Sequence, residues 1–222
     1  MIRYELAIFD FDGTLADSFG WFLRTLQTVA PHYGLPQLCD DEWQALRRLD
    51  ARTIMRRLGL PLWKIPAMAR EMRRRMHENI ADIALFDDVP ALLAELESEG
   101  CALAIVSSNS AENVRRVLGA ENADRVDVFE CGTALFGKRS RLGTTLKRLR
   151  CAPDRALYIG DEIRDAEAAS AAGIAFAAVG WGFTLPEALQ RHTGFPPCAN
   201  LDELRAVIAG QRVPPCHRPR AC

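Results

Sequence analysis

Two aspartates one residue apart, Asp10 and Asp12 in "AIFDFDGTLADS" (residues 7–18), come directly after an apolar stretch. A carboxylate at the tip of a buried strand can attack phosphorus as a nucleophile and form an acyl phosphate. A second carboxylic acid two residues on can protonate the leaving oxygen and then take a proton from water. Gly13 permits a turn immediately after the pair. Further polar clusters come after later apolar runs: Ser107-Ser108-Asn109, then Gly137-Lys138, then Gly160-Asp161-Glu162 with Asp165. A phosphate dianion is repelled by carboxylates unless cations intervene, so Lys138 and a Mg²⁺ held by acidic oxygens become necessary parts of the same chemistry. Ser107 can hydrogen-bond a phosphoryl oxygen, and Gly13, Thr14, Ser108 and Asn109 are the expected substrate-side neighbours. Each cluster also has a plain structural explanation. "DFDGT" is rich in turn formers, "VSSN" suits a helix N-cap, Lys138 could be solvated, and "GDEIRD" could cap a helix. All four explanations holding at once, in this order and each after its own apolar run, is the less economical account.

These clusters meet only if the apolar runs are neighbouring strands. Leu6–Phe9, "CALAIVSS" (101–108), "VDVFEC" (126–131), "ALYIG" (156–160) and "IAFAAVG" (174–180) are apolar nearly throughout. That is the pattern of strands covered on both faces. Between them lie amphipathic segments, "VPALLAELESEG", "AENVRRVLG", "RLGTTLKRLR" and "IRDAEAASAAG". Strand and helix in alternation predict an α/β fold with a doubly wound parallel sheet. In such sheets ligands bind beyond the carboxyl ends of the strands, where the four clusters fall.

Residues 18–85 break the rhythm with helical pieces and no strand. They are too many for a simple connection and predict a helical subdomain inserted after the first strand. The expected organisation is an α/β core (1–17 and 86–210), a helical cap (18–85) and a disordered tail (211–222). The tail's Cys216, His217 and Cys222 match no ordinary zinc spacing. The basic run Arg70–His77 hints at nucleic acid, but Met68, Met72 and Met76 recur at helical spacing, so a packed helix with arginines solvated on the other face is the stronger reading. The formal net charge of the 222 residues is -1, which supplies no field for nucleic acid or an anionic membrane. No apolar run approaches the ~20 residues of a transmembrane helix, and the N-terminus turns acidic too soon for a signal peptide. Seven scattered cysteines without a CxxC pair argue for a reduced, cytoplasmic protein.

With these residues in view, the chain resembles the haloacid dehalogenase superfamily over nearly its whole length. "DFDGTLADS", "IVSSNS", "GK" and "IGDEIRD" carry the resemblance, and "VGWGF" (179–183) is similar to a stretch of its phosphoglycolate-phosphatase-like branch. "GKRSRLG" departs from the Lys-Pro-x-Pro that members often show. The resemblance implies a Rossmann-like core with a C1-type cap, Asp10 as nucleophile and Asp12 as general acid/base. It also implies Mg²⁺ ligation by the Asp10 carboxylate, the Asp12 carbonyl and Asp161. Ser107 and Lys138 would bind the phosphoryl group, with Glu162 and Asp165 supporting the metal or orienting Lys138. Dehalogenases and phosphonate hydrolases of the superfamily lack an acid at the position of Asp12, and the cap has a single lysine, Lys64. The expected activity is therefore a Mg²⁺-dependent phosphatase acting on a small phosphorylated metabolite. A sugar-phosphate mutase and a silent binding module of the same fold stay open at this point, as do monomer and homodimer. Phe19, Trp21, Phe22, Trp43, Arg47, Arg48 and Arg52 are the cap residues that could face substrate, though packing or solvated surface is the plainer role of each. An arginine among them could read a substrate carboxylate bidentately, which would suit phosphoglycolate.

Overall fold

The computed structural model describes residues 3–132 and 137–211; the expected disorder of residues 212–222 lies outside them. Five strands form one sheet: β1 (Leu6–Phe9), β2 (Ala102–Val106), β3 (Val128–Glu130), β4 (Ala156–Gly160) and β5 (Ala175–Ala178). All pairings are parallel and the order is β3-β2-β1-β4-β5. The chain winds from β1 outward to β3, then crosses back so that β4 pairs with β1. The strand order therefore reverses between β1 and β4, which is where a doubly wound sheet opens a crevice.

The continuous apolar runs are explained by two cores. Ala7, Phe9, Leu103, Ile105, Leu157 and Ile159 pack in one cluster, and Leu6, Ile8, Ala104, Val106, Ala156 and Tyr158 in another. Successive strand residues point to opposite faces, and here each face is covered. The first face is covered by α5 (Val89–Ser98), α6 (Ala111–Asp124) and α10 (Leu201–Ile208), and the second by α7 (Lys138–Leu149), α8 (Ile163–Ala172) and α9 (Pro186–Thr193).

Between β1 and α5 stand four α-helices, α1 (Phe19–Val29), α2 (Asp40–Leu46), α3 (Ala51–Arg57) and α4 (Ile65–Glu78), with three short 3-10 turns among them. The chain enters and leaves this insertion side by side. Ala16 and Leu85 form an antiparallel bridge, Asp17 N–H donates to Ala84 O at 2.9 Å, and Phe86 N–H donates to Leu15 O at 2.9 Å.

Three local expectations are corrected. Lys138, which could have been solvated, is buried and opens α7. α6 does not end at Gly119; that residue takes φ 74°, ψ 164°, and the helix resumes to Asp124 after the kink. On α4, Met72 and Met76 are buried as expected, but the arginines are not all solvated: Arg73 donates to Ser108 O of the sheet edge at 3.0 Å, and Asn113 Nδ2 donates to Arg73 O at 2.9 Å. The helices α9 and α10 have no counterpart among the expected elements. Among the described residues no helix is long and apolar enough to cross a membrane.

Candidate active site

The site is built from the loops at the carboxyl ends of β1, β2 and β4 and from the first turns of α7 and α8. Asp10 continues β1 by one residue, its N–H donating to Ile159 O on β4 at 2.8 Å. Its Oδ1 accepts from Phe11 N–H at 2.8 Å, and its Oδ2 is paired with Lys138 Nζ. The same ammonium donates to Asp165 Oδ1 at 2.6 Å, and Asp165 is held in turn by Tyr158 Oη (3.0 Å) and Glu162 N–H (3.1 Å). A β-carbon at Gly160 would lie 2.8 Å from that of Asp165, so only glycine lets α8 start this close to β4.

Burial pushes the Asp10 carboxyl up to about 7, against the pull of Lys138 and with the help of Asp165. For Lys138 burial works against the charged amine, but Asp10 and Asp165 outweigh it and hold its pKa above the usual value. Asp12 is half-buried, and Asn109 Nδ2 donates to both of its carboxylate oxygens at 3.1 and 3.3 Å. Burial raises the Asp12 pKa while the Asn109 amide opposes the rise. Asn109 is placed by the turn after β2, where its own N–H donates to Ser107 Oγ at 3.0 Å and its Oδ1 accepts from Ser110 N–H at 2.8 Å.

Asp161 comes after β4 and is fully buried. Thr14 Oγ1 donates to its Oδ1 and Phe183 N–H donates to its Oδ2, both at 2.7 Å. Burial, then the charges of Glu162, Asp10 and Asp165, raise its pKa well above the carboxylate range. Thr14 and Gly13, expected on the substrate side, have their visible contacts with Asp161 instead: a β-carbon at Gly13 would stand 2.5 Å from Asp161 Oδ2.

The carboxylate oxygens of Asp10, Glu162 and Asp165 lie within 4.8 Å of one another, and Asp161, outside that group, is near enough to feel the charge of all three. Glu162 is paired with Arg164. Five carboxylates (Asp10, Asp12, Asp161, Glu162, Asp165) thus share a crevice with two cations, Lys138 and Arg164. Burial is the larger cause of the raised Asp10 and Asp161, and the neighbouring carboxylates add to it. An all-oxygen donor set with uncompensated negative charge fits a hard divalent cation such as Mg²⁺.

The loop after β5 is the part of the site that the residue pattern did not reveal. Trp181 Nε1 donates to Thr14 O at 3.2 Å, and a β-carbon at Gly182 would lie 2.3 Å from that of Asp161. The Phe183 ring meets Phe19 and Phe22 edge-on, each at 5.1 Å. Arg47, at the end of α2, donates Nε to Phe183 O (2.9 Å) and Nη2 to Gly182 O (2.8 Å), while stacking 4.3 Å over Phe19. Leu185 N–H returns to Arg47 O at 2.9 Å. Arg47, one of the three arginines that could have read a substrate carboxylate, thus has its fork on two backbone carbonyls. The signals available in sequence were its position, closing the fifth apolar run, and the resemblance of "VGWGF" to a stretch of the phosphoglycolate-phosphatase-like branch; neither pointed to these contacts.

A cavity of about 700 Å³ adjoins the site. Phe19, Trp21, Phe22, Trp43 and Arg47 line it, whereas Arg48 and Arg52 do not.

Residues 7–179 match the family described as "Haloacid dehalogenase-like hydrolase". The chain is 35% identical over 180 residues to a phosphoglycolate phosphatase of Synechococcus elongatus, covering 81% of this chain and 85% of that one. It is 28% identical over 210 residues to the tyrosine-protein kinase PtkA of Mycobacterium tuberculosis, covering 92% and 72%. A solved haloacid dehalogenase-like hydrolase of Bacteroides fragilis superposes with a TM-score of 0.75 at 25% identity, covering 91% of this chain and all of that one.

Proposed function

The chain belongs to the haloacid dehalogenase-like hydrolases and is a phosphoric monoester hydrolase, and from that premise we propose that it is a Mg²⁺-dependent phosphatase working through a phosphoaspartate at Asp10. The observation that carries this reading is the convergence of Asp10, Asp12 and Lys138 on one crevice at the sheet's switch point. The names of the two sequence relatives imply different phosphoryl acceptors, so likeness does not extend to the substrate. A small phosphorylated metabolite is the proposed class.

Lys138 and Phe11 N–H hold the Asp10 carboxylate in one orientation. An Asp10 oxygen forms a bond to phosphorus as the ester oxygen departs, and Asp12, steadied by Asn109, gives that oxygen its proton. Asp12 then takes a proton from water as the water attacks phosphorus, which frees phosphate and restores Asp10. Lys138 offsets negative charge on the transferring group, and Asp165 and Tyr158 keep the ammonium in place. Asp10, the Asp12 carbonyl and Asp161 would hold Mg²⁺, with Glu162 and Asp165 beside them. When bound, it supplies positive charge that relieves repulsion between phosphoryl oxygens and carboxylates. Residues 18–85 act as the cap over this chemistry, and the protein works in the cytoplasm.

The test is hydrolysis of p-nitrophenyl phosphate and a panel of phosphorylated metabolites with EDTA, Mg²⁺ or Ca²⁺. Activity is expected to vanish in EDTA and return with Mg²⁺. Ca²⁺, with a larger and looser ligand shell, is expected to restore it poorly. Undiminished hydrolysis in EDTA would contradict the reading.

A further inference from the structure

We propose that the ester this site selects carries a bulky, mainly hydrocarbon alcohol, whose body lies in the cap cavity while its phosphate meets Asp10. The proposal rests on the phosphatase reading and names its substrate class.

The cavity is continuous with the chemistry. Asp12, Asn109 and Glu162 line it at the sheet, and Leu35, Met55 and Leu60 line it within a separate apolar cluster of the inserted helices. Its volume of about 700 Å³ falls within the roughly 300–1,000 Å³ of pockets that enclose whole ligands, whereas glycolate would fill only a small corner of it. The intervening wall is aromatic and aliphatic: Phe19 and Phe22 from α1, Ile54 from α3, Met68 and Met72 from α4.

The charged groups on that wall are already engaged. Arg47 is bound to the carbonyls of Gly182 and Phe183, Arg73 to Ser108 O, Asp50 to Thr53 at the start of α3, and Arg164 to Glu162. Arg70, the remaining cation of the lining, is solvent-exposed. A second ionised group on the substrate would thus shed its hydration inside the cavity and have to compete with the Ser108, Gly182 and Phe183 carbonyls for the Arg73 and Arg47 guanidiniums, a cost that apolar surroundings raise. Hydrocarbon gains there instead. One polar feature refines the class: the buried Trp43, in the wall, has an indole N–H without an acceptor among the described residues. A single acceptor oxygen within the apolar body would satisfy it.

The experiment measures kcat/KM with Mg²⁺ for ethyl, butyl, hexyl and octyl phosphate beside phosphoglycolate. Burying one methylene is worth a factor of roughly 4, so kcat/KM is expected to climb along the series, octyl exceeding ethyl by at least about a hundredfold. Octyl phosphate is expected to surpass phosphoglycolate. Ile54→Trp, which fills the cavity, should lower the octyl-to-ethyl ratio by about tenfold or more. Because the wild-type series stands without the variant, poor folding of Ile54→Trp leaves the test intact. A flat series, or phosphoglycolate as the best substrate, overturns the substrate class while leaving the phosphatase reading in place. If no ester, p-nitrophenyl phosphate included, is hydrolysed, the phosphatase reading fails. Calorimetry with ethyl- and octylphosphonate then decides the cavity alone. Tighter octyl binding with a negative heat-capacity change upholds it, and equal or absent binding overturns it.

Discussion

Asp161 is hemmed in on two sides by residues that have no side chain. Its carboxylate accepts from Thr14 and Phe183, and β-carbons at Gly13 or Gly182 would stand 2.5 and 2.3 Å from its atoms. Gly182→Ala is therefore expected to push the carboxylate aside without touching Asp10 or Lys138. Disturbing the support of a metal ligand typically costs ~10–100-fold in affinity or activity, so the Mg²⁺ concentration for half-maximal activity should rise by about that factor. An unchanged Mg²⁺ dependence would show that Asp161 does not bear on the metal. Gly13→Ala should be worse, since that residue also needs φ +77°. At this scale the spacing of Asp10, Asp12, Lys138, Asp161 and Asp165 was legible because each comes after an apolar run. The partners of Thr14 and Asn109 were not. Their carboxylates lie 147 and 97 residues away, so side-chain type alone suggested substrate contact where the fold uses each of them to hold a carboxylate.

The five strands could be read from apolar runs because both faces of the sheet are covered. Elements shaped by tertiary contact could not. The eight-residue helices α9 and α10 are too short to announce a period, and α6 continues past a glycine that would ordinarily end a helix. The loop after β5 owes its shape to Arg47 on the inserted α2, which no local pattern could foretell. That arginine grips two successive carbonyls whose chain supplies the N–H on Asp161. Arg47→Ala is expected to loosen residues 181–184 and to lower kcat/KM about tenfold, in the range of lost metal support, with a weaker apparent Mg²⁺ affinity. Arg47→Lys should rescue little, since an ammonium cannot reproduce the planar fork. Full rescue by lysine would show that charge rather than geometry is what the loop needs.

Across the whole molecule, the two crossings between core and insertion run side by side, joined by the Ala16–Leu85 bridge and the bonds of Asp17 and Phe86. Two adjacent strands of chain are a natural hinge, and a short linker can replace what lies beyond them. Replacing residues 20–84 by such a linker leaves Asp10, Asp12, Lys138 and Asp161 on the sheet. Hydrolysis of p-nitrophenyl phosphate should persist at reduced rate, while the ranking among natural esters collapses. A ranking that survives the replacement would show that the inserted helices do not select. That the stretch after β1 is helical was plain from its lack of any strand pattern. Its cavity was not, because packing between helices depends on which faces meet, and the aromatic residues that line it read equally well as core.

The central claim is that Asp10 receives the phosphoryl group and Asp12 moves the protons, and single-turnover kinetics of p-nitrophenyl phosphate on Asp12→Asn tests it most directly. The substitution keeps the Asp12 carbonyl and removes its acid. General acid–base assistance is worth ~10²–10⁴-fold, but nitrophenolate leaves with little need of a proton, so the first step should proceed while hydrolysis of the intermediate stalls. The expected result is a burst of one nitrophenolate per active site, with a hydroxylamine-labile phosphate trapped on Asp10 and none formed in Asp10→Asn. Steady turnover of Asp12→Asn at the wild-type rate, or a phosphate mapped to any other residue, would contradict the account.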